Sequence, residues 1–246
     1  MRLLNILRGG WNGLLDLFYP PLCCACGVRL RAGEEVLCAD CLAGLPRTEM
    51  ADHRDNSVEN LFWDIKKFRR GAAFCYFLPD SDFRQLIYRL KYSGDARIGI
   101  WLGSQAAVEF TGSGFFDGID LIVPVPLHSR RERKRGYNQA EMIARGLSRV
   151  TGIPVDTAHL YRRRNNETQT NKNAAERLEN TKDLFAVRQP ENWRGRHLLI
   201  VDDIVTTGAT LRAAIEPVLH IRGTQVSVFA LGSARYAEAD QRMYYV

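Results

Sequence analysis

Two adjacent carboxylates, Asp202 and Asp203, follow the apolar run Leu198 to Val201 and precede a short stretch of small and hydroxylated residues, Thr206, Thr207, Gly208, Ala209 and Thr210. Leu211, Ala214, Ile215, Val218 and Leu219 then recur at helical spacing. The pattern predicts a buried strand, a tight loop and the start of a helix. The first backbone N–H groups of a helix have no intrahelical partner, and the helix dipole favours negative charge beside them. Gly208 and Ala209 leave the backbone open to close approach, and the three threonine hydroxyls add donors. Such a loop suits a phosphate. The acid pair beside it cannot hold that phosphate, so it must accept from vicinal sugar hydroxyls or bind a divalent cation that keeps most of its waters. A solvated turn ending a strand would account for the two acids alone, but not for the loop and helix behind them.

A ribose diol, a 5-phosphate and a magnesium-bound diphosphate occur together in phosphoribosyl pyrophosphate (PRPP). The stretch "LLIVDDIVTTGAT" resembles the PRPP-binding motif of type I phosphoribosyltransferases, with no departure from that pattern. The resemblance implies that Asp202 and Asp203 meet the ribose hydroxyls and that Thr206 to Thr210 wrap the 5-phosphate. After the strand-like "LIVPVP" come Arg130, Arg131, Arg133, Lys134 and Arg135, opposed only by Glu132. A charge run is usually a solvated face. Its place after a strand, where open α/β sheets bind ligands, favours a second anion site. In the resembled enzymes the corresponding loop holds pyrophosphate, so Arg131, Lys134 and Arg135 are candidates, with Lys91 of "RLKYSGD" beside them. The polar stretch 161–187 stands where those enzymes carry a loop that closes over PRPP and excludes water. Its Arg162, Arg163 and Arg164 equally suit nucleic-acid phosphates.

A second chemistry lies near the front of the chain. Cys23, Cys26, Cys38 and Cys41 form two CxxC pairs separated by eleven residues, the spacing of a closed four-thiolate zinc site. In a reducing compartment disulfides are the weaker alternative. Cys24 could replace Cys23 as the first ligand, although it leaves a single residue before Cys26. Cys75, in "AAFCYF", reads as a buried strand residue, and His53, in "MADHRDNSVEN", as a solvated histidine of a linker.

These groups need elements to hold them. A chain of 246 residues accommodates one large α/β domain with a small appendage. An apolar fraction of 46% and a charged fraction of 25% exclude a disordered chain. The net charge of +6 favours anionic partners, and either PRPP or nucleic acid would satisfy it. Gly9, Gly10, Asn12, Gly13 and Asp16 interrupt every early apolar run, and no segment approaches a membrane span, so a cytoplasmic protein is expected. Leu3, Leu4, Ile6, Leu7, Trp11, Leu14, Leu15 and Phe18 then suggest a short amphipathic element packed on the body.

"GAAFCYFLP", "IDLIVPVPL", "HLLIVDD" and "TQVSVFAL" read as strands. Helices alternate with them: "SDFRQLIYRLKY", with Ser81 or Asp82 as N-cap and Phe83, Leu86, Ile87 and Leu90 on one face; Ile100 to Phe110; and "AEMIARGLSRV", with Ala140, Ile143, Ala144, Leu147 and Val150 inward. Pro217 predicts a kink or an early stop in the last helix. The expected fold is α/β, an open and mainly parallel sheet flanked by helices, with a small N-terminal zinc ribbon. The boundaries are an N-terminal helix and ribbon over 1–50, a linker over 51–70 and a phosphoribosyltransferase-like domain over 71–246.

Taken with the zinc pairs, "LKYSGD", "RKRGYNQ" and "RRRNNETQTNKNAAER" make the chain resemble the ComF family over essentially its whole length. That resemblance implies a bacterial factor of natural competence, acting on single-stranded DNA entering the cytoplasm alongside a DNA-uptake ATPase or helicase. It leaves two readings. In one, the protein binds single-stranded DNA and keeps a PRPP pocket, with magnesium, for a regulatory or substrate ligand. In the other, it is an active phosphoribosyltransferase of nucleotide salvage, passing phosphoribosyl to a base or amine; no catalytic residue is assigned. Type I enzymes read the acceptor in a variable hood, here the zinc module and residues 50–80, where the sequence carries no selective pattern.

Overall fold

The structure is a computed structural model that describes residues 20–163 and 184–234. The proposed N-terminal amphipathic element, Arg164 and most of the polar stretch before Leu184 lie outside those residues.

Four strands form one parallel sheet: β1 (Phe68–Tyr76), β2 (Leu121–Pro124), β5 (His197–Val205) and β6 (Gln225–Ser233), in the order β1-β6-β5-β2. Leu198, Leu199, Ile200 and Val201 are fully buried in β5, pairing with β2 on one side and β6 on the other. A parallel strand covered on both faces needs such a continuous apolar run. β3 (Leu160–Arg162) and β4 (Phe185–Val187) pair antiparallel as a separate ribbon, the two stems of the polar excursion.

Helix α1 (Ala39–Ala43) belongs to the cysteine module. Helix α2 (Asp82–Tyr92) starts at Ser81, whose hydroxyl accepts from Arg84 N–H at 3.2 Å, and it buries Phe83, Leu86, Ile87 and Leu90 as expected. Helix α3 (Ala96–Phe110) begins earlier than the apolar pattern indicated, because the Asp95 carboxylate caps it by accepting from Arg97 N–H at 3.1 Å. It crosses α5 (Gln139–Thr151) at glycines: a Cβ on Gly103 or Gly146 would collide with the carbonyl of Ile143 or Ile100. Val150 was expected inward but is 40% exposed. It stands in the last turn of α5 before the left-handed Gly152 cap, and a helix end reaches past the layer that buries its middle. Helix α6 (Ala209–Leu219) carries Pro217 in its final turn and stops at Leu219.

The polar stretch 51–70 is packed. Val58 and Phe62 are fully buried, and β1 begins within it at Phe68. The Asn56 amide donates to the carbonyls of Met50, His53 and Gly71, and Arg70 pairs with Glu59 at 3.1 Å. His53 is exposed, as expected. Cys75 is fully buried, and burial pushes its thiol up to about 12.

Candidate PRPP cleft and metal centre

The apolar part of β5 delivers Asp202 and Asp203 to the carboxyl end of the sheet, where open α/β folds bind ligands. The Asp203 N–H donates to Asp202 Oδ1 at 2.8 Å. Lys91 Nζ, from the last turn of α2, reaches Asp203 Oδ1 at 3.1 Å. Burial, and then the neighbouring charge of Asp203, push the Asp202 carboxyl up to about 7; the Asp203 N–H and Lys91 offset only part of this. Asp202 therefore holds its proton more tightly than an ordinary carboxyl does.

Behind the acids, Thr206 to Thr210 turn into α6. Gly208 sits at φ +76° as its N-cap, and an added Cβ would lie 3.2 Å from Leu61 Cδ1 and 3.4 Å from Phe62 Cζ. Glycine is thus required twice, for the left-handed backbone and for the segment packed over it. Arg212 fastens that segment, donating to the Leu61 carbonyl and pairing with Asp64 at 2.6 Å.

The basic run folds as a short helix, α4 (Ser129–Arg135), where a loop was expected. His128 Nδ1 accepts from Arg130 N–H at 3.2 Å, Gly136 ends the helix at φ +84°, and Arg133, Lys134 and Arg135 fall in its last turn, where the dipole favours cations. A cleft of about 260 Å³ joins this helix to the acids, lined by Lys91, Arg131, Arg135, Asp202, Asp203 and Thr210 among others. Lys134 faces a neighbouring trough of about 560 Å³ that also takes in Lys91, Arg131 and Arg135. Three of the four candidate cations therefore meet the acid pair, and the fourth stands next door.

Sequence reasoning missed the residues that hold this cleft in shape. The Asn138 amide caps α5 through Ala140 N–H and donates to the Val125 carbonyl at the end of β2. The buried Gln139 accepts from Arg135 Nη1 at 2.7 Å, and the Tyr137 hydroxyl donates to the Leu90 carbonyl at 2.5 Å. An asparagine just ahead of a helical apolar pattern is a start signal, and it could have marked the first of these. Arg162 also lines the cleft, from β3.

In the front module the Sγ atoms of Cys23, Cys26, Cys38 and Cys41 lie within 4.8 Å of one another. The Cys38 N–H points at Cys23 Sγ at 3.4 Å. Burial raises the Cys23 thiol, yet backbone N–H groups of Cys38, Cys26 and Ala25 outweigh it and bring the thiol down to about 6. Four sulfurs within 4.8 Å of one another fit a tetrahedral zinc ion. Cys24 lies outside the cluster, beside Arg89, with its thiol raised by burial, so Cys23 is the first member of the set.

Residues 133–245 match the family described as Phosphoribosyl transferase domain, a span that includes the acid pair and the loop Thr206 to Thr210. The chain is 30% identical over 213 residues to DNA utilization protein YhgH of Escherichia coli (strain K12), covering 85% of this chain and 89% of that protein. It is likewise 30% identical over 211 residues to Competence protein ComFC of Bacillus subtilis (strain 168), covering 85% and 83% respectively. Competence protein F of Haemophilus influenzae is 33% identical over 116 residues, 47% of this chain and 51% of that protein. The parallel sheet with its helices is a type I phosphoribosyltransferase fold, preceded by a four-cysteine cluster able to take a metal such as zinc. Among the described residues no helix is long and apolar enough to cross a membrane. With relatives matched over most of their own length at this identity, the chain belongs to the ComF family.

Proposed function

We propose that the protein is a cytoplasmic factor of DNA uptake or utilization that binds PRPP with magnesium and also binds single-stranded DNA, working beside a DNA-uptake ATPase. The observation that carries the PRPP half is the joining of the acid pair and three cations in one cleft. Asp202 and Asp203 receive the ribose hydroxyls, and Thr206, Thr207, Gly208, Ala209 and Thr210 offer backbone N–H groups and hydroxyls to the 5-phosphate. Arg131, Arg135 and Lys91 take the diphosphate, with Lys134 at its outer edge. Asp202 and Asp203 would also hold the magnesium, whose charge would offset that of the diphosphate. The names of the relatives, DNA utilization and competence, support the DNA half.

Calorimetric titration of PRPP with magnesium tests the cleft: the unaltered protein binds and Asp203→Asn does not. Retained binding in the variant would remove the acid pair from the site.

One observation favours transfer as a second reading. A carboxyl held near neutrality, as Asp202 is, can take a proton from a nitrogen acceptor, while the cations opposite stabilise the departing diphosphate. Pyrophosphate release from PRPP, with nucleobases, small amines and single-stranded DNA offered in turn, decides between the readings. Acceptor-dependent release makes the protein an enzyme; binding without release leaves the pocket a sensor.

A further inference from the structure

Helix α2 carries two large exposed aromatic side chains on one face. Tyr88 is 48% exposed and Tyr92 66% exposed. Their rings stack with centroids 6.1 Å apart and planes 29° from parallel. Arg84 lies over the first ring at 5.6 Å and Arg135 over the second at 5.3 Å. Residues 84, 88 and 92 follow one another at i, i+4 spacing, so cation, ring and ring run in line along the helix, and α4 supplies the closing cation.

The line does not end in open solvent. Tyr92 lines the trough of about 560 Å³ together with Lys91, Arg131, Lys134 and Arg135, and no carboxylate is among the described residues that line it. Lys91, Arg131 and Arg135 line the acid-pair cleft as well, so the two hollows lie side by side and share three cations. An isolated surface cation–π contact contributes about 0.5 to 1 kcal/mol and needs no second ring and no basic groove beside it. Exposed rings at regular spacing next to an all-cationic groove are the two parts that bind single strands without sequence preference: ring faces for bases, cations for the backbone. Tyrosine and arginine also favour protein contacts. A protein partner, however, would not explain a groove lined by no acid among the described residues and sharing its cations with the acid-pair cleft.

We infer that Tyr88 and Tyr92, flanked by Arg84 and Arg135, form a stacking platform for single-stranded nucleic acid, whose backbone follows the adjoining basic trough to the mouth of the cleft. This rests on the single-strand-binding half of the proposed function and assigns it to a surface. Strand and cleft then share cations, which brings a strand to the place where the acid pair lies.

The test is fluorescence anisotropy with a labelled oligothymidylate on the full chain, comparing the unaltered protein, Tyr88→Ala with Tyr92→Ala, and Tyr88→Phe with Tyr92→Phe. Each lost ring is expected to weaken binding roughly tenfold, while the phenylalanine pair, which keeps both faces, binds like the unaltered protein. Thermal melting of the exposed-site variants should be unchanged, which separates lost contact from lost fold. Unchanged affinity in the alanine pair overturns the platform and leaves the rings to a protein contact, while strand binding itself survives. Equal loss in the phenylalanine pair also overturns it, since hydroxyls rather than ring faces would be at work. If the unaltered protein binds no strand, the single-strand reading falls and the platform with it.

Discussion

The ammonium of Lys91 stands 3.1 Å from the Asp203 carboxylate and ties the last turn of α2 to the end of β5. One contact thus links the helix that carries the exposed tyrosines to the strand that carries the acids, beside the core packing of Phe83, Leu86, Ile87 and Leu90. It also holds a cation beside the half-buried acid pair.

Lys91→Ala should therefore act in two ways. It removes a charged partner of the diphosphate, a contact of about 1.5 to 3 kcal/mol, so PRPP affinity is expected to fall by about 10- to 100-fold. It also removes one of the influences that lower the Asp202 carboxyl, which should move higher still from about 7. Calorimetry across the neutral pH range checks both. A binding profile whose inflection stays in place would separate Lys91 from the acid pair.

Asp203→Asn should lose PRPP without losing the fold. The raised Asp202 carboxyl holds its proton more tightly in the folded chain than in the unfolded one. Its favourable contribution is complete below pH of about 4 and is lost as the pH rises through about 7. Removing the Asp203 charge, the second cause of that rise, relieves the loss. Because the variant also loses the ion pair to Lys91, the clean readout is the Asp202 carboxyl itself, which is expected to titrate lower in the variant, as carbon-detected NMR of the carboxyl would read. A carboxyl that titrates where it did before would contradict the assignment of repulsion to the pair.

Zinc removal should unfold the front module and leave the sheet. Small four-ligand modules derive on the order of 10 to 16 kcal/mol of apparent stability from their metal. A strong chelator, or Cys23→Ser, should therefore open residues around 23–41 to protease, whereas Cys24→Ser keeps bound zinc. Metal content and limited proteolysis read this directly. Zinc lost from the Cys24 variant would shift the ligand set.

Part of this architecture was legible in the residues and part was not, for physical reasons. The strand, acid pair and small-residue loop of β5 and α6 are consecutive, so local chemistry prescribes them. The buried stripe of α2 is equally local. Whether Cys23 or Cys24 faces the metal depends on the path of the backbone, which spacing alone does not fix. The basic run became a helix because His128 and Gly136 supply its two ends, a detail hidden under the charges. Tyr137 acts through the carbonyl of Leu90, which lies far away in the chain, whereas Gln139 and Arg135 stand only four residues apart, on either side of the turn at Gly136. The 51–70 stretch looked like a linker because its polar groups are many; Asn56 and Glu59 spend them inside the protein.

Gly208 offers a sharp test of the phosphate loop because Gly112 provides its control. Both have positive φ, +76° and +94°, so alanine at either position carries backbone strain of roughly 1 to 2 kcal/mol. Around Gly112 an added Cβ meets nothing within 4 Å, whereas at Gly208 it presses on Leu61 at 3.2 Å. Gly112→Ala should therefore lower the melting temperature by a few degrees and leave PRPP binding intact. Gly208→Ala should lower it further, displace the segment over the loop, and abolish binding. If both variants bind alike, the 5-phosphate does not depend on close backbone approach at this turn, and the loop would have to hold it through the threonine hydroxyls alone.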